Sequence, residues 1–150
     1  MSQRPQPPAT LPDRTFILIV KAADALVQQA DQLLKNSGLT GAQYNVLRIL
    51  RGAEPRGLPC RGISDRMISR DPDITRLLDR MEKRGLITRQ RQTDDRRVII
   101  THVTSQGLEI LKTLDHPVHE LHKRQFRHIS AARLKILAAL LEDVHKAASE

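Results

Sequence analysis

The 150-residue chain is long enough to form a hydrophobic core within one domain, and 39% of its residues are hydrophobic. Its formal net charge of +8 favours an anionic partner such as nucleic acid. No segment has the roughly 18 consecutive apolar residues that span a bilayer, and an aromatic content of 2% disfavours the stacking of single-stranded bases. The lone cysteine, Cys60, cannot form an intrachain disulfide, which predicts a reducing, cytoplasmic location.

The first part of the chain predicts a flexible arm followed by three helices. Residues 1–14 contain four prolines and are expected to form the arm. From residue 15 to about residue 36, apolar residues recur at three- and four-residue spacing, which predicts a long helix. Thr40 and Gln43 have the spacing of a capping box and predict the start of a second helix. A short third helix is expected over residues 60–68.

Residues 72–84 have the clearest amphipathic pattern in the sequence. One helix face carries the apolar residues Ile74, Leu77, Leu78 and Met81. Asp71 is predicted to cap this helix, with Pro72 at its first position and Gly85 as its stop. The opposite face is charged and is expected to point away from the core.

The remaining residues predict a hairpin and two more helices. Residues 86–91 and 97–103 are expected to be strands because β-branched residues concentrate there, and their connection is polar and charged. Helices are predicted over about 105–148, with Pro117 kinking or interrupting the first. The last helix is expected to bury the apolar residues Leu134, Leu137, Ala138, Leu141 and Val144.

A short helix, a turn, an amphipathic helix and a basic hairpin, in that order, are the parts of a winged helix-turn-helix. An α-helix fits the major groove of duplex DNA, and a hairpin beside it can place an arginine in the minor groove. The segment 61–97 supplies the charge, since its 11 basic and seven acidic residues leave a net +4. The order of the elements therefore predicts duplex DNA as the partner.

The run ITRLLDRMEKRGLITRQRQTDDRRVIITHVTSQG, residues 74–107, resembles the recognition helix and wing of the multiple-antibiotic-resistance regulator (MarR) family. A T-R-L-x-D-R-x-E-x-x-G-L helix followed by a D-x-R wing carries the resemblance, which extends more loosely over residues 16–147. The resemblance implies a mainly α fold: a winged helix-turn-helix with a two-stranded wing, flanked by N- and C-terminal dimerisation helices. The winged unit would span about 40–104, and the dimerisation helices about 15–36 and 105–148, within one domain over 15–150.

The resemblance also implies a function and a set of DNA-binding residues. Members of the family dimerise and bind pseudo-palindromic duplex DNA, and small aromatic or phenolic ligands often relieve their repression. The residues expected on the exposed face of the recognition helix are Pro72, Asp73, Thr75, Arg76 and Arg80. In the wing, Arg97 would enter the minor groove, the carboxylate of Asp95 would orient it, and Arg96 lies between them.

Several alternatives stay open on the residues alone. Arg76, Arg80 or Lys83 could instead form salt bridges with acidic residues at helix spacing, which are Asp73, Asp79 and Glu82. The histidines at positions 116, 119 and 122 recur every three residues, but this spacing drifts around a helix, and a solvated surface is expected rather than a metal site. Cys60 could be a redox sensor beside Arg61, although a small buried hydrophobe is the expected interpretation.

Other classes of protein are less well supported. The chain has no Gly-rich phosphate loop, H-E-x-x-H, G-x-S-x-G or C-x-x-C motif, so neither an enzyme nor a cofactor is predicted. A winged-helix protein-interaction module without DNA binding is the alternative function, but it would not need Arg76 and Arg97 on one docking face. A basic membrane-surface protein would show an aromatic-rich apolar face, which this sequence lacks.

Overall fold

The computed structural model describes residues 7–150, which form six helices and three short strands. One compact unit ends at Lys112 and a second spans Thr113–Glu150. Residues 1–6 of the expected arm lie outside the described part of the chain, and the single domain expected over 15–150 stays a prediction. No helix within residues 7–150 is long and apolar enough to cross a membrane.

The first helix, α1, spans Leu11–Lys35 and begins inside the segment expected to be an arm. Thr10 and Asp13 form a capping box, in which the Thr10 hydroxyl accepts from the Asp13 N–H and the Asp13 carboxylate accepts from the Thr10 N–H at 2.8 Å. Pro12 is tolerated because the first helical turn has no partner for its missing N–H. The sequence did not predict this cap, because the four prolines of residues 1–14 favoured a flexible arm.

The second helix, α2, spans Gly41–Ala53 and confirms the predicted capping box. The Gln43 N–H donates to the Thr40 hydroxyl, and the Gln43 side chain accepts from the Thr40 N–H. Its inner face buries Val46, Leu47 and Leu50 completely. The helix therefore lies at the centre of the first unit.

A two-residue strand, β1 (Leu58–Pro59), precedes the third helix, α3 (Cys60–Arg66). The strand pairs with a later strand and was missed in the sequence because two residues carry no alternating pattern. Helix α3 matches the predicted short helix but ends two residues earlier. A bend over residues 67–73 then leads to the fourth helix.

The fourth helix, α4, spans Ile74–Lys83 and begins two residues later than predicted. Asp73, rather than Asp71, is the cap, because its carboxylate accepts from the Arg76 N–H at 3.1 Å. Asp71 instead accepts from the Asp73 N–H at 2.8 Å, so it braces the turn that contains Pro72. The predicted stop is confirmed: Gly85 has φ +75°, a left-handed conformation that glycine adopts without strain.

The two predicted strands are β2 (Ile87–Arg91) and β3 (Ile99–Val103), and they pair antiparallel with Ile87 opposite Val103 and Arg91 opposite Ile99. The sheet order is β1-β3-β2, so the wing carries a third, minor strand beyond the two expected. Helix α2 packs against β3, and α4 packs against β2. The core includes the fully buried side chains Ile63, Leu78, Met81, Leu86 and Leu111.

Two helices complete the chain: α5 (Ser105–Phe126) and α6 (Ala131–Ala148). Pro117 lies within α5 and does not interrupt it. The predicted burial of the α6 apolar residues is wrong for Ala138, Leu141 and Val144, which are exposed, and Leu134 and Leu137 are only half-buried. Leu141 and Val144 are 40% and 52% exposed, and no residue of α6 is fully buried. An apolar pattern shows which face is to be covered, but not whether the same chain covers it.

Candidate nucleic-acid interface

Helix α4 presents a cationic face to solvent. Leu77, Leu78 and Met81 are buried on the inner side, as the sequence predicted. The opposite side exposes the residues Thr75, Arg76, Arg80 and Lys83, and the preceding Pro72 and the cap Asp73 are also exposed. Because the Asp73 cap fixes the first turn of α4, the Arg76 side chain within that turn leaves a hydrogen-bonded backbone.

The acidic residues of α4 are held by an arginine of the neighbouring strand. Arg89 of β2 donates to a carboxylate oxygen of Asp79 at 2.5 Å and to one of Glu82 at 3.0 Å. This side chain is 22% exposed, so the pairs are partly shielded from solvent. Hydrogen bonding to Arg89 lowers the pKa of Glu82, and the carboxylates raise the pKa of Arg89. We call these three residues the Arg89 clamp.

The clamp decides between two interpretations of the α4 arginines. Salt bridges to Asp73, Asp79 or Glu82 were the alternative for these arginines. The Asp79 and Glu82 carboxylates instead pair with Arg89, and the Asp73 carboxylate caps the helix by accepting from the Arg76 N–H. Among the described residues 7–150, no ion pair involves the guanidinium group of Arg76 or Arg80. These groups are therefore available for an anionic partner.

The wing tip, residues 92–98, is an ordered loop. The Asp95 carboxylate accepts from the Arg97 backbone N–H at 3.0 Å, and the Asp95 carbonyl accepts from the Val98 N–H at 3.0 Å. The Gln92 N–H donates to the Val98 carbonyl at 2.9 Å and closes the loop at its base. The contact between Asp95 and Arg97 therefore runs from the Asp95 carboxylate to the Arg97 main chain.

A second arginine braces the same loop from its strand. Arg91, the last residue of β2, donates from Nη1 to the Arg96 carbonyl at 2.8 Å. Arg91, Gln92, Thr93 and Arg96 line an open concavity beside the hairpin tip. The side chains of Arg96 and Arg97 are exposed. Cationic groups therefore surround the tip on a backbone that hydrogen bonds hold in place.

The structure places the predicted residues in two groups: Pro72, Asp73, Thr75, Arg76 and Arg80 at α4, and Asp95, Arg96 and Arg97 at the wing tip. Sequence reasoning missed the clamp and the brace made by Arg91. The sequence feature that could have predicted the clamp is the position of Arg89, two residues after the buried Ile87. Because alternate residues of a strand face the same side, Arg89 lies on the covered side of β2. An arginine there needs acidic partners, and Asp79 and Glu82 lie one helical turn apart on α4.

The structure also places the other candidates from the sequence, the three histidines and Cys60. Among residues 7–150, no three His, Cys, Asp or Glu side chains lie close enough together to hold a metal ion. The histidines 116, 119 and 122 lie exposed on α5. Cys60 is half-buried at the start of α3.

Helix α3, a short turn, helix α4 and a basic hairpin define a winged helix-turn-helix protein. A family model described as the MarR family matches residues 39–99. A MarR transcription factor from Planctomyces limnophilus, known from its crystal structure, is 36% identical in sequence to this chain. The match covers 89% of this chain and 96% of the Planctomyces protein, with a TM-score of 0.70. The chain therefore belongs to the MarR family, which confirms the resemblance and the predicted fold.

Two further relatives are more distant. The homoprotocatechuate degradative operon repressor of Escherichia coli is 25% identical over 131 residues, which is 87% of each protein. BpsR of Bordetella bronchiseptica, whose DNA binding is regulated by 6-hydroxynicotinic acid, is 19% identical with a TM-score of 0.79. The match covers 88% of this chain and 98% of the BpsR chain. At this identity the likeness concerns the fold alone.

Proposed function

We propose that this chain is a homodimeric transcription regulator that binds pseudo-palindromic duplex DNA in a sequence-specific manner and represses transcription. The observation that carries the proposal is the charge arrangement of the winged unit. The acidic residues of α4 are clamped by Arg89, while Arg76 and Arg80 on the same helix are exposed and form no ion pair with any of residues 7–150. On a helix surface that is only solvated, the carboxylates would be expected to pair with arginines of the same helix at three- or four-residue spacing.

Helix α4 is the element proposed to read bases in the major groove. The N-terminal residues of a recognition helix contact base edges. Here Thr75 and Arg76 lie in the first turn, and Pro72 and the cap Asp73 lead into it. An arginine can donate two hydrogen bonds to a guanine, which makes Arg76 the candidate for base discrimination. Arg80, one turn further along, is suited to a phosphate contact.

The wing is proposed to insert Arg97 into the minor groove. The narrow minor groove of A·T-rich DNA has an enhanced negative potential that attracts an arginine. Asp95 holds the Arg97 backbone, and exposed Arg96 is placed to contact a neighbouring phosphate. Contacts of this kind position the protein on the duplex and depend little on major-groove sequence.

Dimerisation is proposed for the helices outside the winged unit. Helix α1 exposes Phe16 by 68% and Val27 by 56%, and α6 exposes Ile136 by 60% and Leu140 by 57%. Apolar surface of this extent is unfavourable in water and is typical of an interface. A two-fold dimer would present two winged units to half-sites about one helical turn apart.

The proposed effector is a small aromatic or phenolic compound, and the proposed location is the cytoplasm. BpsR is regulated by 6-hydroxynicotinic acid, and the E. coli relative is named for the degradation of homoprotocatechuate. Both compounds are aromatic, which supports the effector class for this chain. The family relationship also supports regulation, rather than catalysis, as its activity.

Selection of binding sites from a randomised duplex pool tests the proposal. The wild-type protein is expected to enrich an inverted repeat with half-sites roughly 10 bp apart, and the footprint should cover both. The affinity should fall steeply with salt, by about 0.9 log units per phosphate contact for each tenfold rise. Enrichment of no sequence, together with salt-independent binding, would favour the protein-interaction module instead.

A further inference from the structure

One apolar side chain of the winged unit lies fully in solvent beside the recognition helix. Ile68, in the bend between α3 and α4, is 89% exposed, compared with 75% for Leu11 at the start of α1. Single exposed hydrophobes are common on protein surfaces. The backbone and the charges around Ile68 distinguish it from such cases.

Hydrogen bonds hold the bend that carries Ile68. The Ile68 N–H donates to Oδ1 of Asn45 on α2 at 2.8 Å, which ties the start of the bend to the centre of the winged unit. Its other end is braced by Asp71, which accepts from the Asp73 N–H at 2.8 Å. The backbone at Ile68 is therefore held in place, which a side chain needs if it is to make a specific contact with a base.

The charges on either side of Ile68 match a polyanion. Arg66 precedes it and Arg70 follows it, and both are exposed, as is Ser69. In the proposed binding mode the N-terminal end of α4 enters the major groove, and this bend leads directly into that end. The arginines can reach phosphates while the aliphatic side chain between them faces the groove.

We propose that Ile68 is a specificity-determining residue that packs against the C5-methyl group of a thymine. An isoleucine side chain has no hydrogen-bonding atom, and the thymine methyl is the apolar feature that base edges present in the major groove. This inference rests on the proposed function, because it assumes that α4 docks in that groove. It adds base readout outside α4, at a position the family motif does not include.

Replacement of single thymines by uracil tests the contact, because uracil lacks only the methyl group. The duplex selected by the wild-type protein is prepared with one thymine replaced at a time, and each affinity is measured. At one position per half-site, the wild type should lose about three- to fivefold in affinity, the factor expected for one buried methyl group. Ile68→Ala should bind the thymine and uracil duplexes equally at that position, and Ile68→Val should retain part of the discrimination.

A matched control is Leu11→Ala, which removes an exposed aliphatic side chain outside the winged unit and should leave every thymine-to-uracil ratio unchanged. The inference is overturned if Ile68→Ala keeps the wild-type ratio at every position, or if it weakens all duplexes equally. In either case DNA binding by the wild type would still support the proposed function. If the wild type binds no duplex at all, the proposed function fails and the inference fails with it.

Discussion

Two arginines are expected to make different kinds of contact with DNA, because they leave the protein from different elements. Arg76 lies in the first turn of α4, whereas Arg97 lies in the wing loop. Both side chains are exposed, so neither stabilises the fold by burial. Removing either should therefore affect binding without unfolding the protein.

Arg97→Ala should weaken binding to the selected duplex and to a scrambled duplex by the same factor, about tenfold or more, since a charged hydrogen bond is lost from both complexes. Arg76→Ala should cost the selected duplex about 1–3 kcal/mol more than the scrambled one, because a base contact discriminates between them. Fluorescence anisotropy at one salt concentration measures both effects, with circular dichroism as the folding control. Wild-type affinity of Arg97→Ala for both duplexes would show that the wing does not contact DNA.

Asp95 and its neighbour Asp94 provide a matched pair for the wing. Only the Asp95 carboxylate accepts from the Arg97 N–H, although both side chains are exposed and removing either deletes one negative charge. Asp95→Ala should lower DNA affinity about threefold to tenfold, because a lost hydrogen bond of about 1 kcal/mol loosens the loop. Asp94→Ala should equal or slightly exceed the wild type. Equal affinities of the two variants would contradict the positioning role of Asp95.

The Arg89 clamp links two elements, the recognition helix α4 and the wing strand β2. Its contribution to stability depends on the charge of Glu82, whose pKa is lowered by hydrogen bonding to Arg89. A carboxyl group with a lowered pKa in the folded state stabilises above its unfolded pKa, and this stabilisation is lost as the pH falls through the folded value. The clamp should therefore be strong at neutral pH and weak in acid.

Arg89→Met should lower the free energy of unfolding by about 0.5–1 kcal/mol at pH 7, a value kept small by solvent screening of a partly exposed network. The difference from the wild type should shrink as the pH falls below 4.5, the ordinary pKa of glutamate. Urea unfolding across this range measures it. Arg91→Met, which removes a bond to a backbone carbonyl, is the control and should show no such dependence. A constant difference for Arg89→Met would contradict the clamp.

The elements themselves were largely predictable, and the misses have physical causes. Helix α4 was predicted because Leu77, Leu78 and Met81 form a stripe that only a helix can bury together. Its start was misplaced because Asp71 and Asp73 are both good capping residues, and tertiary hydrogen bonds decide which one caps. Strand β1 was missed since its two residues become a strand only by pairing with β3.

The candidate site was predictable to a lesser extent. The family motif located the exposed arginines, but the clamp depends on β2 lying against α4, which spacing along the chain does not show. The resemblance paired Asp95 with Arg97, but it did not show which atoms meet, because a side-chain-to-backbone bond within a loop depends on the loop's own conformation. Ile68 carries no motif, and its exposure, its hydrogen-bonded backbone and the flanking arginines identify it only in the structure.

The molecule as a whole is expected to be a dimer, because α1 and α6 expose apolar side chains that one chain leaves uncovered. Light scattering should give a mass near twice 17.0 kDa at micromolar concentration. Leu140→Glu, which places a charge on an exposed position of α6, should shift the mass towards that of a monomer. A monomeric wild-type protein would contradict the proposed architecture.

The central claim is that α4 and the wing, rather than net charge alone, bind duplex DNA. The most direct measurement compares Arg76→Ala/Arg97→Ala with Arg124→Ala/Arg127→Ala on the selected duplex. Each double variant loses two exposed arginines, the first pair from the winged unit and the second from the end of α5 and the turn that follows. We expect the first variant to lose at least about 100-fold in affinity, as two charged contacts imply, and the second to stay within about threefold of the wild type. Equal losses in the two variants would contradict the account, because binding would then follow the total charge and not the proposed interface.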